Sequence, residues 1–217
     1  MKDLAKRFLS DDDRRKVEAA VKEVERKTSG EIVPMVVSAS YHYPMADVIG
    51  AVAFTLPAAT VLTYLVGRGF WIGGQNLWLF LGIFTVLFAA FHTLVKYWPA
   101  LKRFFISGRE IDEEVEEAAV TAFFREGLHR TRDETGVLIF ISVFEQRVWV
   151  LADRGIDAKV AEGQWDEAVR LIVEGIKQRR QTEAICTAVA RIGEILCTHF
   201  PVKPDDANEL RNLIVDG

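Results

Sequence analysis

The 217-residue chain is half hydrophobic yet carries 27 basic and 31 acidic residues, for a net charge of −4. With a pI near 5.7 it has no electrostatic footprint for nucleic acid as a partner and disfavours generic phosphate binding. Setting aside its apolar middle leaves about 45 residues before it and about 120 after it, enough for one modest core built from both ends and too few for two.

Residues 1–10 contain Lys2, Lys6 and Arg7 but run into Asp11, Asp12 and Asp13 instead of an apolar stretch, so they do not read as a secretory signal. Ser10, with an acid three positions later at Asp13, reads as a helix start, because both side chains can take up free backbone N–H groups at the positive helix end. The helix runs to about Lys27, with Val17, Ala20, Val21 and Val24 on one face. Thr28, Ser29 and Gly30 end it. Residues 31–37 then have the β-branched content of a buried strand, in which Pro34 marks an edge position or an irregularity.

Between residues 48 and 95 the only full charge is Arg68. Residues 48–67 and 75–95 each suffice to span a bilayer, since roughly 20 helical residues at about 1.5 Å rise cross about 30 Å of hydrocarbon. The glycine-rich spacer 67–74 follows no strand, so it reads as the turn of a membrane hairpin and not as a phosphate loop. Trp71, Trp78, Tyr97 and Trp98 fall near the predicted interfaces as anchors. Lys96, Lys102, Arg103 and Arg109 follow the second helix, whereas Arg68 alone marks the turn. The positive-inside rule therefore places both termini and the soluble part in the cytoplasm, at the plasma (inner) membrane. The first span begins too late for a cleaved leader. Pro57 reads as a tolerated kink and His92 as an interfacial histidine, and two helices can enclose a pore only as an oligomer.

After Ser107 and Gly108 a helix is predicted over 110–130, with Ile111, Val115, Ala118, Ala119, Ala122 and Phe123 along one side and acids along the other. Residues 137–143 and 148–152 predict a central antiparallel hairpin, joined by the polar Glu145, Gln146 and Arg147. A loop over 153–157 precedes helices over 165–177 and 183–198, with Trp165 in the core and helices on both faces of a small sheet. Leu210, Leu213 and Ile214 in the tail predict a short terminal helix. Cys186 and Cys197 read as small buried apolar residues, without the spacing of a disulfide or a zinc site. The soluble domain is thus expected in two parts, 1–44 and 100–200, around a hairpin over 45–99, with a tail over 201–217.

Four segments carry a resemblance: Phe8, Leu9 and Ser10; the passage from Glu25 through Thr28 to Glu31 and Ile32; Thr135, Gly136, Val137 and Leu138; and the run from Arg147 to Asp153, Arg154, Gly155 and Ile156. In this order they resemble the TPM domain family. The resemblance implies an α/β fold, a TPM-like α/β/α sandwich with a small mixed sheet and a domain often tethered to a membrane. Here that sandwich is interrupted by a two-helix transmembrane hairpin, where many relatives have a loop. Exported relatives with acid phosphatase activity make a metal-assisted acid phosphatase the alternative function.

The chain contains no GxSxG elbow, HExxH pair, GxxxxGK[ST] loop or CxxC spacing. His42, His92, His129 and His199 lie in different predicted elements. The remaining candidates are carboxylates. Asp153 and Asp157 follow a central strand, Glu31 heads the first one, and together with carbonyls and water they could hold a hard cation such as Ca²⁺ or Mg²⁺. Open α/β sheets bind ligands at strand carboxyl ends, which puts the two aspartates ahead of Glu31. With no catalytic set in view, the expected function is a non-enzymatic accessory or regulatory partner of another membrane protein, held in the lipid bilayer. Homo-oligomerisation stays open, and an oligomeric channel or transporter component is the further alternative.

Overall fold

The computed structural model describes residues 4–69, 76–160, 163–203 and 208–216. In chain order its elements begin with α1 (Leu4–Phe8), α2 (Asp11–Glu25), β1 (Glu31–Val37), α3 (Pro44–Gly69), α4 (Asn76–Tyr97), α5 (Pro99–Phe104) and α6 (Gly108–Arg125). A 3₁₀ turn, Leu128–Arg130, leads to β2 (Gly136–Ser142), β3 (Arg147–Ala152), α7 (Arg154–Asp157), α8 (Asp166–Lys177), α9 (Gln181–His199) and β4 (Ile214–Asp216). The chain forms two compact units, Met1–Tyr41 with Asp112–Gly217, and His42–Ile111. The expected turn residues 70–75, Trp71 among them, and the tail residues Pro204, Asp205 and Asp206 lie outside the described residues.

In the first unit α2 starts as its sequence dictates. The Ser10 hydroxyl accepts the Asp13 N–H at 3.3 Å while the Asp13 carboxylate accepts the Ser10 N–H at 3.1 Å. The Ser10 hydroxyl also holds the Asp13 carboxyl below the usual carboxylate range.

The four strands lie in the order β3, β2, β1, β4, with β1 parallel to both neighbours and β3 antiparallel to β2. Strand alternation divides the side chains between two faces. Ile32, Val36, Val137, Ile139, Ile141 and Val148 join one core with Val17 and Val21 of α2, Ile172 of α8 and Ile185, Val189 and Ile192 of α9. The alternate residues Val33, Met35, Leu138 and Phe140 are equally buried on the other face. Leu151, the cross-strand partner of Leu138, shares that face and borders a cleft with Val120, Phe123 and Phe124 of α6. Helices therefore cover both sides of the sheet, which is why β1 and β2 read as continuous apolar runs instead of alternating ones.

Three local features differ from the sequence-based expectation. The C-terminal segment forms β4, not a helix, because Ile214, Val215 and Asp216 pair with Met35, Val36 and Val37. The hairpin of β2 and β3 is not central, since β3 is the edge strand. Residues 154–157 form a helical turn capped by Asp153 instead of a loop. Pro34 fits its position for a specific reason. The Glu31 N–H bonds toward β2 and the Ile32 N–H turns the other way, to the Glu25 carboxylate, so Pro34 also turns its nitrogen away from β2. The β4 ladder begins only at Met35, so the missing donor costs no sheet hydrogen bond.

Glu145 is fully buried in the turn between β2 and β3. It accepts the Ser142 hydroxyl and the amides of Ser40 at 3.0 Å and Tyr41 at 3.4 Å, tying the chain just past β1 to that turn.

The second unit contains two helices long and apolar enough to cross a membrane, α3 and α4. They run antiparallel, with Gly67 beside Asn76 and Gly50 beside Val95. Ala51, Thr55 and Ala59 of α3, spaced four apart, are fully buried and let the helices approach closely. Most other large apolar side chains point outward, as with Trp78 at 75 % exposure and Val86 at 70 %. Lys102 of α5 forms a buried ion pair with Asp47 at 2.9 Å and donates to the His42 carbonyl at 2.5 Å, joining the start of α3 to the segment after α4.

Glu145→Ala should lower the stability of the first unit by about 2–4 kcal/mol, because it strands two backbone donors and a hydroxyl. Glu145→Gln, which keeps an acceptor, should cost less. Denaturant midpoints in mild detergent, followed by circular dichroism, check both.

Candidate functional site

Asp153 and Asp157 are brought together by α7, whose N-cap is Asp153. The Asp153 amide bonds the Gly136 carbonyl at 2.9 Å, extending the β2–β3 ladder by one residue, and its Oδ1 accepts the Arg154 N–H at 2.8 Å. Its Oδ2 is buried without a hydrogen-bond partner. Gly155 is required here, since a Cβ would lie 2.6 Å from the Glu134 carbonyl oxygen, and Glu134 itself adopts a left-handed φ of 54°. Desolvation, reinforced by the neighbouring Asp153 charge, pushes the Asp157 carboxyl above its usual range.

The strand directions alter the argument that singled out these aspartates. Because β3 runs antiparallel, its carboxyl end lies where the parallel strands β1 and β2 begin. Asp153 therefore sits at the amino edge of the parallel strands, not at the carboxyl edge where doubly wound sheets bind ligands. Glu31 shares that edge, in register with Gly136, but stands two strand spacings from Asp153, roughly 10 Å. It lines a different cleft, with Lys22, Glu25, Arg26, Val202 and Asn208, and accepts the Glu209 amide at 3.1 Å. Among the described residues no group of three or more His, Cys, Asp or Glu side chains could hold a metal ion.

The Asp153–Asp157 pair opens instead into a cleft of about 470 Å³. Val120, Phe123 and Phe124 of α6 and Leu151 of β3 form apolar walls, and His129, Glu134 and Arg154 complete the lining. His129 packs its ring 5.0 Å from that of Phe124, and its Nδ1 is buried without a hydrogen-bond partner. Sequence reasoning did not connect His129 with the aspartates, because the 3₁₀ turn that carries it reaches the cleft only through tertiary packing. The other expectations for single residues resolve simply. Trp165 and the half-buried Cys186 both pack against the main core, while Cys197 is a half-buried free thiol outside it.

Residues 104–195 match the family model of the TPM domain. That stretch is similar to the TPM domain. It spans most of the first unit after the helical insertion and contains the whole cleft, while α2 and β1 precede it. A similar fold is seen in the BA42 protein of the psychrophilic bacterium Bizionia argentinensis, solved by NMR. That structure is 20 % identical, with a TM-score of 0.59 over 97 % of this chain and 96 % of its own. At that identity the likeness concerns the fold alone. No curated protein matches the chain in sequence.

The raised Asp157 carboxyl sets a sign for pH dependence. Between the ordinary carboxylate value and the raised folded one, the folded state holds more protons than the unfolded, so this group's contribution to stability falls as pH rises. Asp157→Asn should therefore be at least as stable as the parent at pH 7. The gap should close on acidification toward pH 4, as read from paired thermal melts across that range.

Proposed function

We propose that this is a membrane-anchored TPM-domain protein that serves as a non-enzymatic accessory or regulatory partner of another membrane protein. The observation that carries the reading is the outward-facing apolar surface of α3 and α4, inserted in the chain between β1 and α6 of the TPM fold. Leu56, Val61, Leu65, Leu77, Trp78 and Val86 are all exposed, a surface matched to acyl chains and costly in water. Tyr97 at the end of α4 and Trp98 and Phe104 just after it, all exposed, suit the headgroup level.

Charge supports a cytoplasmic TPM domain at the plasma (inner) membrane, with both termini on that side. Asp47 neutralises Lys102, so Lys102 drops out of the count. Lys96, Arg103 and Arg109 still outnumber Arg68 at the opposite end of the helix pair. The accessory role is supported by the lack of a nucleophile–base pair among the motifs and by the paired crossing, which fixes the domain to the bilayer at two points of its chain.

A metal-assisted phosphatase rests on Asp153 and Asp157 alone, with Glu31 across the sheet in another cleft, and Ca²⁺ or Mg²⁺ would need ligands beyond these two. A channel or transporter component would need several copies, with His92, beside Phe88 at a ring distance of 5.9 Å, as its titratable group.

The test is site-specific labelling in a background of Cys186→Ser and Cys197→Ser. Arg68→Cys should react with an impermeant maleimide added to intact cells, and Glu116→Cys only after permeabilisation. The reverse pattern inverts the topology, and extraction of the chain by alkaline carbonate removes the anchor. Crosslinked purification in mild detergent should retain a second membrane protein in fixed ratio; repeated recovery of this chain alone would defeat the accessory role.

A further inference from the structure

The cleft between α6, β3 and α7 combines features that a metal site does not need. One wall is apolar and open to solvent, with Phe124 57 % exposed and Val120 38 % exposed. Asp153, Asp157 and Glu134 supply three carboxylates against the single permanent cation Arg154, which forms no ion pair with any of them among the described residues. Asp153 is only 9 % exposed, and its Oδ2 is an acceptor without a donor. A buried carboxylate oxygen without a donor is an unmet demand for a hydrogen bond, and one from a cation meets it best.

We propose that this cleft binds an organic cation, an ammonium or guanidinium group carried on an apolar arm. The cationic head donates to Asp153 Oδ2 and faces Asp157, while the arm lies along Val120 and Leu151 with the Phe124 ring beside it. An aromatic face near a desolvated cation adds attraction of its own. A hard divalent ion fits the same place poorly, because it requires six or more oxygen ligands. Three carboxylates flanked by apolar walls leave such an ion to draw the rest from carbonyls and water. An organic anion is repelled by the three acids. The site stands independently of the membrane reading, and its ligand is either a free amine or a basic side chain next to an aromatic one in a peptide.

Calorimetry on the full chain in lipid nanodiscs tests this with 2-phenylethylammonium as probe. Phenylacetate serves as the anionic counterpart, CaCl₂ as the metal arm and an amidated Phe-Arg dipeptide as the peptide arm. Saturable binding of the ammonium is expected, weakened at least tenfold by Asp153→Asn, which keeps the helix cap, and by Phe124→Ala at an exposed position whose loss should leave the thermal midpoint unchanged. Phenylacetate should give no saturable heat. Dipeptide binding tighter than the free amine assigns the ligand to a peptide, and the reverse order to a small amine. The proposal is overturned if the ammonium gives no saturable heat, if its heat survives Asp153→Asn unchanged, or if Ca²⁺ binds in its place with the same dependence on Asp153.

Discussion

Glu31 with Gly136 through Val37 with Ser142 pair β1 to β2 in parallel, across the whole of the inserted helical segment. Parallel neighbours need a crossover, and here the crossover is α3 to α6 with the turn that follows. Closing so long a loop costs entropy that grows with the logarithm of its length, but an insert that folds on itself shortens the loop that remains. The ion pair of Asp47 with Lys102 does this within the second unit by joining the two ends of the helix pair. In the first unit Glu145 holds Ser40 and Tyr41, where the chain leaves β1, to the turn beyond β2. Two buried acids, one in each unit, thus reduce what the sheet's central pairing must overcome.

The same pairing decides where chemistry can sit. Both faces of β1 and β2 are covered, so polar groups emerge only at the strand ends. At the amino edge of the parallel strands, Gly136 lies in register with Glu31 on one side and bonds the Asp153 amide on the other. The close approach of Gly155 to the Glu134 carbonyl then turns α7 so that Asp157 returns beside Asp153. Desolvation at this edge, with the Asp153 charge beside it, is what raises the Asp157 carboxyl.

Local signals account for most of what the sequence makes legible. The box of Ser10 and Asp13, the apolar stripe of α2 and the uncharged lengths of α3 and α4 each specify an element from neighbours a few residues apart. What is not legible depends on partners distant in sequence. Leu210, Leu213 and Ile214 have helical spacing, yet the strand edge left open at Met35 to Val37 captures Ile214 to Asp216. Glu145 reads as a polar turn residue because its three donors come from Ser142 and from residues ahead of the insertion. The rule that favours strand carboxyl ends selects Asp153 for a reason that fails once β3 runs antiparallel, and it cannot see His129 at all. Lys102 counts as a cytoplasmic charge until its pairing with Asp47 is known.

The insertion divides the fold but not the cleft. Every residue lining it, from Val120 to Asp157, lies after the helical insert and inside the stretch that matches the TPM domain. Glu31, the candidate contributed by the segment ahead of the insert, belongs to another cleft. The two halves of the first unit therefore carry different duties. The half before α3 supplies a doubly buried strand and the helix that packs beneath it, contributions that depend on apolar patterning and tolerate a long interruption in the chain. The later half keeps α6, β3 and α7 close in sequence, so the short connections that aim Phe124, His129 and Asp153 at one another are undisturbed by the insert. The inserted helices and the cleft can vary independently in such a chain, because no residue of the cleft lies in those helices.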